Sequence, residues 1–202
     1  MSFDCFIRFV ALPGLLLSYA AGFFMLTDYS TRPAIASPIH SSGAIRSVLK
    51  EFHPDPDTVS ILLFYHPQCP CTVATIRSLQ RAVPLLKSPA SVYAFAFYPQ
   101  SEAESWIESD GTDLLRQIEG AKVVADPDGE TAKLIGITTS GHCLVFEDER
   151  GIVFSGGINP LRGHEGDCPS LAQLIHCVND AREPYTSWPI FGCTLANSQR
   201  LQ

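Results

Sequence analysis

The stretch Tyr65 to Cys71, "YHPQCPC", ends an apolar run and sets two cysteines on either side of a single proline. Residues of this type at this spacing allow three chemistries. A thiolate can attack a disulfide, two soft thiolates can hold a soft metal ion, or the two sulfurs can form a structural bond. A disulfide across one residue closes a small ring in which ideal torsions are hard to reach, so its oxidised form is strained and easily reduced. That favours an oxidant or isomerase over a strong reductant. As a staple the same bond is of little use, because so short a loop hardly constrains the unfolded chain. His66, three residues before Cys69, is placed either to move a proton near neutral pH or to sit at the loop with no role.

The elements that position these residues follow from periodicity. Ile45, Val48, Leu49 and Phe52 recur at helical spacing, and "HPDPD" then stops the helix. "TVSILLFY" is a continuous apolar and β-branched run, which marks a strand covered on both faces. After Cys71 the period changes: Val73, Ile76, Leu79 and Val83 share one side of a helix that Pro84 kinks or ends. "SVYAFAFY" is a second buried strand, so strand, helix and strand imply a right-handed crossover and a parallel pair. A helix broken near Gly111, a third short strand "AKVVAD" and a short helix within "DPDGETAKLIGI" follow. "HCLVFEDERGIVFSGG" predicts two strands about a tight turn at Glu149 to Gly151. Leu171, Leu174, Ile175 and Val178 mark a last helix, with Pro169 in its first turn.

A chain of 202 residues, 46% hydrophobic and 17% charged, is long enough for one principal domain with a full core. Its net charge of -7 and lack of any Lys/Arg cluster exclude nucleic acid as an expected partner. "FVALPGLLLSYAAGFFML", Phe9 to Leu26, carries no charge over about 18 residues, the lower length for a bilayer span. The expectation is a cytoplasmic stub over 1-8, a transmembrane signal-anchor over 9-27, a Ser/Thr/Pro-rich linker over 28-44 and the folded domain over 45-202. Arg8 before the span, with no basic cluster after it, places that domain outside the cytoplasm, on the periplasmic side of an inner membrane. The sequence "AIA" at Ala34 to Ala36 offers a signal peptidase an alternative to an uncleaved anchor. Of seven cysteines, the six after the apolar segment would then sit where disulfides persist.

The order of these elements, with "VVADPDGETAKLIGITTSGHCLVFEDERGIVFSGG", resembles the thioredoxin-like superfamily, and within it the membrane-anchored TlpA-type and alkyl-hydroperoxide-reductase-type group. "HPQCPC", "TSGH", "RGHEGD" and a terminal "FGC" are most similar to RedB-type proteins. The resemblance spans about Thr58 to Arg182 and implies an α/β thioredoxin-like fold, a central mixed β-sheet flanked by helices. There are departures. One residue rather than two separates the cysteines, Gly141 and His142 stand where a cis-proline is expected, and no Thr precedes Cys69 as in peroxiredoxins.

The resemblance implies that Cys69 caps a helix and that Cys71 lies in its first turn, where N–H groups and the helix dipole favour a thiolate. Cys69 would be the nucleophile and Cys71 the resolving thiol. The fold would also bring the loop before the hairpin, Gly141 and His142, over the cysteines, so that Cys69, Cys71 and His142, with His66 as a further ligand, form an alternative Cu(I) site. "LRGHEGDC" would border the groove, so Arg162, His164 and Glu165 are either substrate contacts or parts of a hydrated loop. Cys143 and Cys177 read as inert core residues. Cys193 is either bridged to Cys168 or folded back towards Cys69 and Cys71 as a third exchange partner. "DPDG" at Asp126 to Gly129 is a turn rather than a calcium loop. The function expected is a membrane-tethered thiol-disulfide oxidoreductase that needs no cofactor and acts on protein disulfides or thiols or on a partner oxidoreductase. A copper-delivery protein and a redox-inactive binding module are the alternatives.

Overall fold

The computed structural model describes residues 10–34, 39, 41–54, 58–180 and 184–195. It divides into two units, residues 1–32 and 33–202.

The first unit is one helix, α1 (Leu12–Thr31), with Pro13 in its first turn, where a missing N–H costs nothing. None of its residues is buried, and Leu15, Leu17, Phe24 and Met25 are among its exposed apolar side chains. The segment expected to span a membrane, 9-27, contributes residues 12–27 to this helix. Helix formation runs on through Thr27, Asp28, Tyr29, Ser30 and Thr31, a polar end that dilutes the apolar stretch, and no helix among the described residues is long and apolar enough to cross a membrane. Phe9, the proposed stub, and Ile35 and Ala36 of the alternative cleavage site lie outside the described residues.

In the second unit, Ser41 caps α2 (Ser42–Lys50) by accepting the Ala44 N–H at 3.2 Å. There follow β1 (Val59–Tyr65), α3 (Pro70–Ala82) running into a 3₁₀ turn that contains Pro84, and β2 (Ala90–Tyr98). A 3₁₀ turn (Glu104–Ile107), α4 (Asp110–Arg116), β3 (Ala121–Pro127) and α5 (Glu130–Ile135) come next. The hairpin β4 (His142–Glu147) and β5 (Gly151–Gly156), α6 (Pro169–Asn179) and the short β6 (Thr186–Ser187) complete the unit. The sheet order is β3-β2-β1-β4-β5-β6. β1, β2 and β3 are parallel, β4 is antiparallel to both β1 and β5, and β6 is parallel to β5. This mixed sheet flanked by helices is the architecture that the resemblance implies.

All seven residues of β1 are buried, as the unbroken apolar run requires of a central strand. Because side chains alternate, Ile61, Leu63 and Tyr65 pack with Ile76 and Leu79 of α3 and with Leu171 and Leu174 of α6. Leu62 and Phe64 face the other way, onto Phe95, Ile45 and Leu49 of α2, and Ile135 of α5. Ile76 is fully buried, and its truncation to alanine should cost about 2–5 kcal/mol. The core thus clamps the C-terminal end of β1 and the start of α3 from both sides. The "DPDG" turn is structural: the buried Asp126 carboxylate accepts the Thr131 and Ala132 N–H groups at 2.7 and 3.2 Å and caps α5.

Candidate functional site

Cys69 is the N-cap of α3, in extended conformation with φ -92° and ψ 115°, and Pro70 fills the first helical position. The helix starts here because proline prefers that position and the Thr72 N–H closes the first turn on the Cys69 carbonyl at 3.0 Å. The Cys69 side chain is nearly buried, while Cys71 is half-buried. A third sulfur joins them. Cys193 Sγ lies 2.8 Å from Cys69 Sγ, and the Sγ atoms of Cys69, Cys71 and Cys193 all lie within 4.8 Å of one another.

The tail that carries Cys193 is held by backbone pairing with the loop before β4. Thr194 bridges Thr139 in antiparallel fashion, the Ser140 N–H donates to the Cys193 carbonyl at 2.8 Å, and the Leu195 N–H donates to the Thr138 carbonyl at 2.8 Å. Only glycine fits at 192, since a Cβ there would overlap the Ser140 carbonyl oxygen. Arg162 donates from Nη1 to the Gly192 carbonyl at 2.6 Å, and Gly163 packs beside Cys71 Sγ.

The electrostatics separate the three thiols. Cys69 is lowered to about 5: its hydrogen bond with Cys193 is the main cause, with the Cys71 and Cys193 backbone N–H groups and the Thr72 side chain adding to it against burial. Cys71 is raised by burial and by the Cys69 charge, which outweigh Arg162. Cys193 is raised because its proton is engaged by Cys69. Of the three sulfurs, Cys69 is the one that carries negative charge near neutral pH.

The remaining predicted residues fall into two groups. Arg162 is at the site, close enough to favour charge on both Cys71 and Cys193. His66 lies at the end of β1, its ring stacked on Phe97 with centroids 5.4 Å apart and edge-on to Trp106 at 5.0 Å. Burial holds its pKa below the ordinary histidine value, against the pull of Cys69. Its backbone does more at the site: its N–H donates to Ser140 Oγ at 3.0 Å and its carbonyl accepts from the Cys69 N–H at 3.0 Å. His142 is buried and its Nε2 lies 2.8 Å from Ser155 Oγ, so burial pushes it down to about 4. The sulfur cluster does not include it: Cys193, not His142, lies with Cys69 and Cys71.

Gly141, with φ +85°, donates its N–H to the Phe64 carbonyl at 2.8 Å and leaves room for Thr75 Oγ1, tying the loop to β1 and α3. His164 is exposed, its ring nitrogen Nδ1 2.9 Å from the Arg162 carbonyl, and Glu165 pairs with Arg77 at 2.8 Å. A Cys168–Cys193 bridge is also corrected: Cys168 caps α6 and gives its S–H to the Ile158 carbonyl at 3.3 Å, and all six described cysteines are free thiols. Residue periodicity did not single out Ser140 and Thr72, whose hydroxyls lie 2.9 Å apart beneath the site. Their only signal was the "TSGH" motif and the turn position after "CPC".

No family model and no curated protein matches the chain. Solved structures do. A hypothetical protein of Sinorhizobium meliloti 1021 is 20% identical with a TM-score of 0.56, over 83% of this chain and 93% of that one. An uncharacterized conserved protein of Geobacillus kaustophilus is 16% identical with a TM-score of 0.52, over 69% and 77%. These two share the fold. A secreted Mycobacterium tuberculosis disulfide oxidoreductase homologous to E. coli DsbE aligns with a TM-score of 0.39 at 13% identity, over 60% and 81%.

Proposed function

We propose that the chain is a thiol-disulfide oxidoreductase in which Cys69 is the attacking thiolate. One observation carries this reading: Cys69 Sγ sits at the N-terminus of α3, 2.8 Å from Cys193 Sγ, and its thiol is lowered to about 5. A sulfur ionised at neutral pH and within reach of a second thiol has the parts that exchange needs. Substrates of this chemistry are disulfides or thiols of proteins, or a partner oxidoreductase. Titration of the reduced chain with a mass-tagged thiol reagent across a series of redox buffers tests it. Cys69 should react first and become protected together with one partner thiol as the buffer turns oxidising. A folded, reduced chain whose Cys69 stays unreactive rules exchange out.

The same proposal places the domain outside the cytoplasm, at a membrane to which the apolar surface of α1 attaches it. Supporting this are the exposed apolar side chains along α1 and a thiol cluster suited to a compartment where disulfides form. Fractionation of native cells should recover the chain with membranes and outside the cytoplasmic pool; recovery in the cytoplasm contradicts it.

A soft-metal reading is supported by one specific feature, three sulfurs within 4.8 Å of one another. Thiolates favour soft ions, Cu(I) and zinc among them. Anaerobic titration with Cu(I) should then give about one ion per chain, weakened by Cys193→Ser and unaffected by His142→Ala. No binding removes the reading.

A further inference from the structure

The C-terminal tail is more than a neighbour of the cysteine pair. Thr138 to Ser140 present backbone groups to an extended strand, and Cys193 to Leu195 take that place with two hydrogen bonds flanking the Thr139–Thr194 bridge. A segment paired this way presents its cysteine directly to Cys69, and three further features fix it there: the glycine at 192, the Arg162 hydrogen bond to Gly192, and the Ala34 N–H on the Ile190 carbonyl at 2.8 Å. Cys71 is differently placed. Its Sγ also lies within 4.8 Å of Cys69 Sγ, but a Cys69–Cys71 bond closes a strained ring across a single residue.

We propose that Cys193 is the resolving thiol for Cys69, and that the oxidised protein is closed by a Cys69–Cys193 disulfide that locks the tail across the site. This rests on the exchange reading above. The steps balance. The Cys69 thiolate attacks one sulfur of a substrate disulfide, forming a mixed disulfide and releasing the other substrate sulfur as a thiolate that takes up a proton. Cys193 then loses its proton to solvent and attacks Cys69 Sγ, and the bonded substrate sulfur leaves as a second thiol. The substrate disulfide gains two electrons, and the Cys69 and Cys193 pair loses them.

The timing follows from the same contacts. While Cys69 is a thiolate, its contact and its charge hold the proton on Cys193; once its sulfur is capped both are gone, leaving burial against the Cys193 thiolate and Arg162 in its favour. The tail therefore becomes a better nucleophile once substrate has been captured. Closure then denies the next substrate access until a reductant opens the bond, so the tail is both resolving arm and latch.

The test uses the reduced full chain with glutathione disulfide, acid quenching and intact and peptide mass. The wild-type chain should pass quickly through a glutathione adduct on Cys69 to an intramolecular bond mapped to Cys69 and Cys193, and Cys71→Ser should still form that bond. Cys193→Ser should accumulate the adduct, with release of the second glutathione slower by at least about tenfold because the local thiol is gone. Gly192→Val keeps all three thiols but forces the tail off Ser140; it should stall like Cys193→Ser while Cys193 alkylates faster than in the wild-type chain. A wild-type bond mapped to Cys69 and Cys71, with Cys71→Ser stalling and Cys193→Ser resolving normally, overturns the proposal and leaves exchange intact. So does a Gly192→Val chain that resolves at the wild-type rate. If Cys69 takes up no glutathione in any variant, exchange fails and the proposal with it.

Discussion

Cys69 and Cys143 are both buried, both beside β1, and chemically opposite. Cys143, on β4, pairs with Leu63 of β1, is fully buried, and is pushed up to about 12 with burial as the cause. Cys69 is lowered to about 5 under a burial penalty of the same sign. Donors make the difference. Cys69 stands four residues after β1 at a helix N-terminus, with backbone N–H groups and the Cys193 sulfur beside its own, whereas Cys143 lies among apolar side chains. Burial alone makes a thiol inert; burial with pre-oriented donors makes it a nucleophile.

The comparison can be broken at several points. The largest effect is expected for Cys69→Ser, which should abolish mixed-disulfide formation with glutathione disulfide, while Cys143→Ala should leave it in place; equal loss in both would mean that the fold, not the sulfur, had been probed. Next is the pH dependence of stability of the reduced chain. The folded pKa of Cys69, about 5, lies below the ordinary 9.0, so between these values the unfolded chain binds one more proton at this site. Its contribution is fully present above 9.0, fades as pH falls, and is lost as pH passes through about 5. Denaturant midpoints should therefore rise across that window more steeply in the wild-type chain than in Cys69→Ala, and parallel curves would contradict the assignment.

A smaller change is expected for Cys143→Ser. A hydroxyl placed in that apolar setting should lower stability by about 1–3 kcal/mol without altering the alkylation rate of Cys69. Smallest is Arg162→Ala: losing its charge and its hydrogen bond to Gly192 should slow closure of the Cys69–Cys193 bond by roughly fivefold, the equivalent of about 1 kcal/mol. An unchanged rate would show that the tail is held without it.

Much of the scaffold was legible because it rests on local pattern. The unbroken apolar run of β1, the change of period after Cys71 and the hairpin turn at Gly151 each correspond to an observed element. The site was legible only in part. That Cys69 would follow a strand and start a helix came from neighbours in sequence, whereas the position of Cys193 depends on backbone pairing between residues 138–140 and 193–195, which no periodicity records. His142 misled for the reverse reason: it is near in the expected topology, but its partner is Ser155 on the adjacent strand. The apolar N-terminal segment forms a helix, yet its polar last turns are invisible to a count that stops at Leu26.

The most direct measurement is the rate of iodoacetamide alkylation of Cys69 in the reduced full chain as a function of pH, with the modified cysteine identified by peptide mass. The account predicts a midpoint near 5 at Cys69, with Cys143 unmodified until the chain unfolds. A Cys69 midpoint at the ordinary 9.0, or alkylation of Cys143 at a comparable rate in the folded chain, would contradict it.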